Sequence, residues 1–94
     1  MDAVIYGKKL VALVEIAKTG EFADIEQLLE GARIFEKIRG EKPNALILFI
    51  YAEKPSEKLI AACEENGIIV NSSLKRIAEL LHSLDENLSE NIKD

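Results

Sequence analysis

Tryptophan is missing from these 94 residues, and cysteine and histidine each occur once. The single Cys63 excludes an intramolecular disulfide, so a reducing cytoplasm is the expected location. With one histidine (His82) and one cysteine far apart in sequence, neither a zinc site nor a Cys–His nucleophilic dyad is supported. Prolines number two and glycines five. Nothing resembles a linker, a low-complexity tract, an internal repeat or a phosphate-cradling glycine pattern. No apolar run approaches the roughly 18 to 20 residues that span a bilayer. The opening Met1-Asp2-Ala3-Val4-Ile5-Tyr6 lacks the basic region and cleavage pattern of a signal peptide. Positive charge is scarce, with 12 Lys and Arg against 17 Asp and Glu and a net charge of −5. That balance argues against a broad nucleic-acid surface, whose affinity comes from cations neutralising phosphates. It does not exclude a nuclease, because bound divalent cations would add positive charge where the backbone approaches.

Apolar residues make up 48% of the chain and charged ones 31%, which is a globular balance for one domain. Abundant Glu, Lys and Ile with a single Gln27 lean toward a heat-loving source. Residues 2–18, broken once at Gly7-Lys8, read as two antiparallel strands joined by a tight turn. From Phe22 the period becomes helical, with Ile25, Leu28, Leu29, Ala32, Phe35 and Ile38 on one stripe, closed by Gly40 and Pro43. Mid-helix Gly31 suggests a close helix contact. Ala45-Leu46-Ile47-Leu48-Phe49-Ile50-Tyr51 is seven apolar residues without polar alternation, the pattern of a parallel strand buried on both faces. Strand, helix and buried strand make a crossover unit, expected to be right-handed. Pro55-Ser56-Glu57 opens a second helix that Asn66-Gly67 ends. Ile68-Ile69-Val70 is a short strand, and Asn71-Ser72-Ser73 caps a third helix carrying Leu74, Ile77, Ala78, Leu81 and Leu84. The expected fold is α/β: a mixed four-stranded sheet flanked by three helices in the order ββαβαβα, with residues 1–84 as the domain and 85–94 as a polar, fraying tail. The apolar first strand would lie at the sheet edge, where pairing with a second copy into a homodimer hides it.

Strand parity sets the candidate site. Leu13, Glu15 and Ala17 share one face, Val14, Ile16 and Lys18 the other. A Gly7-Lys8 turn pairs Tyr6 with Lys9 and makes Asp2 a diagonal neighbour of Glu15, roughly 7 to 8 Å away. A turn slipped to Lys8-Lys9 puts Asp2 directly opposite Glu15. In either register both carboxylates fall on one face, where repulsion is relieved by a hard cation such as Mg²⁺ or Mn²⁺. The bland alternative is a solvated Asp2 and a Glu15 at its strand's exposed end.

Asp2-Ala3-Val4-Ile5, a turn, Leu13-Val14-Glu15-Ile16, a long helix through Phe35-Glu36-Lys37, and Lys42-Pro43-Asn44-Ala45-Leu46-Ile47 together resemble the PD-(D/E)XK nuclease superfamily. The resemblance is to its small archaeal uncharacterised members and covers residues 2–70. It implies the sheet core of restriction endonucleases and Holliday-junction resolvases, here without the helix and strand that usually precede the aspartate. It also implies that Asp2 and Glu15 match the two metal-binding acids. The family's catalytic lysine lies two residues after the glutamate and steadies the attacking water or the phosphorane charge; this chain has Ala17 there. Lys18 substitutes only if the strand bulges or has ended, and Arg33 and Lys37 on the long helix are further candidates. The expectation is a degenerate nuclease-like domain acting as a homo-oligomeric interaction module. The alternatives are a live Mg²⁺-dependent endonuclease with Asp2 and Glu15 on the metal and a relocated lysine, or an unrelated α/β interaction domain. His82 is expected to be partly exposed near a helix C-terminus, Cys63 a small core residue, and Phe49 and Tyr51 core and rim. Charges such as Glu57, Lys58, Glu64 and Arg39 are expected on solvated helix faces.

Overall fold

The computed structural model describes residues 2–90. The chain folds as β1 (Ala3–Tyr6), β2 (Val11–Ala17), α1 (Phe22–Arg39), β3 (Ala45–Ile50), α2 (Glu57–Glu65), β4 (Ile68–Asn71) and α3 (Leu74–Glu90), the order ββαβαβα expected from periodicity. One sheet runs β1-β2-β3-β4, with β1 antiparallel to β2 and β2, β3 and β4 parallel. The two crossovers therefore each carry one helix, α1 and then α2. Among the described residues no helix is long and apolar enough to cross a membrane.

Helices cover both faces of the sheet, which is why β3 needs apolar side chains without alternation. On one face Leu13, Leu48 and Ile50 meet Ile25 and Leu28 of α1 and Leu59 and Cys63 of α2. On the other, Ala12, Val14, Ala45 and Ile47 meet Ile77 and Leu81 of α3. Helix ends follow local chemistry. Glu21 and Asp24 form a reciprocal capping box at the start of α1, and Gly40 (φ 78) ends it with its N–H bonded to Glu36. Ser56 Oγ accepts from Leu59 N–H at the start of α2, and Ser73 Oγ accepts from Arg76 N–H at the start of α3.

Three stripe residues, Ile38, Leu74 and Ala78, leave the core. Ile38 is 76% exposed and Leu74 65% exposed. The 18 residues of α1 rise about 27 Å, whereas a strand of six or seven residues spans roughly 20–23 Å. The last turn of α1 therefore overhangs the sheet. Residues 85–90, expected as tail, are instead the final turns of α3, continued by the packed Leu84 and Leu88. Residues 91–94 lie outside the described residues.

The hairpin takes the slipped register. Tyr6 pairs with Val11, and Gly7 N–H donates to Leu10 C=O at 2.8 Å, so Lys8-Lys9 form the turn in place of Gly7-Lys8. The physical reason lies on α3. The Asp85 carboxylate accepts from the N–H groups of Lys8 (3.0 Å), Lys9 (2.8 Å) and Leu10 (3.0 Å). Three successive amides form a concave anion-binding nest, and this turn aims all three at one carboxylate. A Cβ at Gly7 would come within 2.6 Å of the Asp85 carboxyl group, which explains the glycine. These amide bonds hold the Asp85 pKa below its ordinary value, with Lys8 adding a smaller attraction.

Candidate functional site

Glu15 sits in the middle of β2, between Leu13 and Ala17 on the face covered by α1 and α2, and pairs in register with Leu48 of β3. It is 5% exposed and is the buried charged side chain among the described residues. The expected exposed strand end is thus corrected. Two more residues of β2 follow Glu15 and β3 flanks it through Ile50, so the strand runs on past it, although Glu15 is its last buried residue.

Asp2 stands one residue before β1. Its N–H donates to Val14 C=O at 2.8 Å, a carbonyl that regular pairing assigns to Ala3. The chain is thereby drawn in against β2 at this point. The Asp2 carboxylate then does what a backbone carbonyl does further along a ladder: Ile16 N–H donates to Asp2 Oδ2 at 2.7 Å. The regular register ends at Ala3–Val14, and the side-chain hydrogen bond pins the Asp2 carboxylate to the peptide group that follows Glu15. Asp2 and Glu15 lie at the same end of the β1–β2 pair. One of them also terminates the backbone pairing of that pair, so part of its charge is committed to structure.

Ala17 ends β2 on the Glu15 face and packs against the core shared by α1 and α2. The position where the resemblance calls for lysine is therefore filled by a small side chain in an apolar contact. Lys18 follows the last strand residue and lies exposed in a bend. Its carbonyl accepts from Ala52 N–H at 3.0 Å, which ties this loop to the end of β3. Arg33, on exposed α1, pairs with Glu30 one turn earlier. Lys37 is exposed in the last turn of α1.

Cys63 is fully buried, and burial pushes its thiol pKa up, as for an inert core cysteine. His82 lies mid-helix because α3 is longer than expected, with Nε2 3.0 Å from Glu86 on the exposed surface. Phe49 packs beneath α3 while Tyr51 is 59% exposed, their ring centroids 6.5 Å apart and tilted. Among the described residues no group of three or more His, Cys, Asp or Glu gathers where it could hold a metal ion.

One feature escaped sequence reasoning. Arg39, expected on a solvated face, lies over the rings of Tyr6 (5.8 Å) and Phe35 (5.7 Å) and donates to Tyr6 Oη at 2.7 Å. It closes one end of a groove of about 510 Å³ between β1 and α1, walled by Val4, Ile34 and Ile38. No local pattern links residues 33 positions apart. No protein-family model, curated protein or solved structure matches this chain.

Proposed function

We propose that the chain is a nuclease-like α/β module that does not cut nucleic acid and works in the cytoplasm by associating with a second copy of itself. Ala17 carries this reading. A PD-(D/E)XK centre needs an amine on the face of its glutamate, and here that place holds a half-buried methyl group packed against the core. Asp2 and Glu15 are the residues that would hold Mg²⁺ or Mn²⁺. A hard cation takes one or two carboxylates with water completing its shell, so the donor set is small but sufficient. Such an ion supplies charge neutralisation and an activated water. Without a positioned lysine, and with Asp2 Oδ2 already accepting from Ile16, the pair is a relic that organises the β1–β2 end.

Incubation with Mn²⁺ or Mg²⁺ and single-stranded, duplex or branched DNA is expected to leave every substrate intact. Metal-dependent cutting that Glu15→Ala abolishes would overturn the inactive reading and establish the nuclease. Sedimentation over a range of concentrations is expected to show a dimer, and a chain that stays monomeric removes the self-association half.

A further inference from the structure

The outer edge of β1 offers backbone groups in a fixed pattern. Antiparallel pairs alternate between hydrogen-bonded and non-bonded. Gly7 is bonded to Leu10, and the same register makes Ala3 and Ile5 the inward-bonding residues of β1. The N–H and C=O groups of Val4 and Tyr6 therefore point away from β2, along the sheet edge. Those four groups match only one self-complementary arrangement without loss: Val4 opposite Tyr6 of a second copy, twice, about a two-fold axis through Ile5.

We infer that two copies join β1 to β1 antiparallel with Ile5 on the dyad, making one continuous eight-stranded sheet. The inference rests on the self-association reading above and names its surface. Charge supports this occupant. Asp2, with one carboxylate oxygen on Ile16 N–H, lies at one end of the edge, and Lys8, which also feels Asp85, lies at the other; both are exposed. The register set by Val4 and Tyr6 puts Asp2 of each copy opposite Lys8 of the other, so the strand is complementary to its own reverse. A parallel or shifted partner would lose that match. Apolar exposure is placed to suit it. Ile5 is 39% and Tyr6 58% exposed, on opposite faces of the strand. Ile5 meets its own copy at a close, non-bonded pair. The β1–α1 groove, lined on its strand side by Val4 and Tyr6, becomes the wall of a trough floored by both β1 strands.

The test uses single variants of the whole chain. Ile5→Cys is expected to cross-link to itself under mild oxidation, mapped by mass spectrometry as a bridge between the two introduced thiols. Tyr6→Cys, whose counterpart in the other copy is Val4, is expected not to. Asp2→Lys and Lys8→Glu each create two repulsive pairs per dimer and should weaken association about tenfold or more. Mixed one to one, they should recover it, since the heterodimer restores both attractive pairs. Circular dichroism of each variant confirms folding. A dimeric wild type with no Ile5→Cys bridge, and no recovery on mixing, overturns the edge pairing while leaving self-association by another face standing. A monomeric wild type overturns both.

Discussion

Gly20 separates two ways in which a glycine can be irreplaceable. It follows β2 at φ 73, and an added Cβ would collide with Ile50 Cδ1 and lie 2.8 Å from Leu59 Cδ2. Both neighbours are core residues, Ile50 fully buried and Leu59 3% exposed. Gly40 shares the left-handed conformation at φ 78 but has open space around the position of a Cβ. Gly40→Ala should therefore cost only the conformational penalty, about 1–2 kcal/mol. Gly20→Ala carries that cost plus an overpacking term of about 1–3 kcal/mol, because neither buried side chain has room to turn. Urea denaturation at neutral pH, with m-values checked for constancy, should place Gly20→Ala below Gly40→Ala by that second term. For a domain of this size, each kcal/mol corresponds to roughly 4–8 °C in melting temperature. Equal losses at the two positions would refute the claim that the β2–α1 loop is packed against Ile50 and Leu59.

Three further outcomes follow from single contacts. The lowered pKa of Asp85 means that its carboxylate stabilises the fold above its ordinary value near 4, and that this contribution disappears as pH falls through the lower folded value; the stability gap between wild type and Asp85→Ala should close in that acid window, and a gap unchanged down to the lowest pH at which both fold would refute it. Cys63, buried and with its thiol pKa raised, should react with a thiol reagent only at the rate of unfolding, and alkaline pH above the ordinary cysteine value should destabilise the fold; rapid labelling of the folded protein would contradict the burial. Ser56→Ala removes the Oγ acceptor of Leu59 N–H and should cost about 1 kcal/mol in chemical denaturation, with Ser56→Gly costing less.

Much of this fold is legible because burial leaves a period in the sequence. The uninterrupted apolar run Ala45–Ile50 is what a strand covered by helices on both faces requires, and Ile25, Leu28 and Leu59 fall where their helices meet it. Parity predicts Asp2 and Glu15 on one face in either turn register, and the structure holds the Asp2 carboxylate on Ile16 N–H, next to Glu15. The depth of Glu15 was less legible, since it depends on how far β3 runs beside β2. The end of α3 was in principle readable, as Leu81, Leu84 and Leu88 continue one stripe through residues that composition marks as polar. The part played by Asp2 was not. Whether a carboxylate faces solvent or stands in for a carbonyl beside Ile16 depends on a one-residue shift in backbone pairing that no side-chain pattern encodes. The turn register was hidden for a similar reason, since its determinant is a carboxylate 75 to 77 positions away.

That distant carboxylate also bears on the proposed dimer. Moving the turn from Lys8-Lys9 to Gly7-Lys8 shifts β1 against β2 by two residues. Two is an even step, so every side chain keeps its face and the core is served nearly as well. The edge is not preserved: Val4 and Tyr6 would become the inward-bonding residues, and Ala3 and Ile5 would direct their backbone groups outward. The pairing of Val4 with Tyr6 about Ile5, and of Asp2 with Lys8, exists only in the register that offers the Lys8, Lys9 and Leu10 amides to Asp85. By holding that turn, α3 selects which edge β1 presents, and of the residues that meet the second copy Asp85 interacts with Lys8. Asp85→Ala should accordingly weaken association, and abolish the Ile5→Cys cross-link more than it reduces helix content. Sedimentation and cross-linking of the Ile5→Cys, Asp85→Ala double variant read this directly. An undiminished bridge in a folded protein would show that β1 keeps its register without the nest, and the coupling between α3 and the edge would fall.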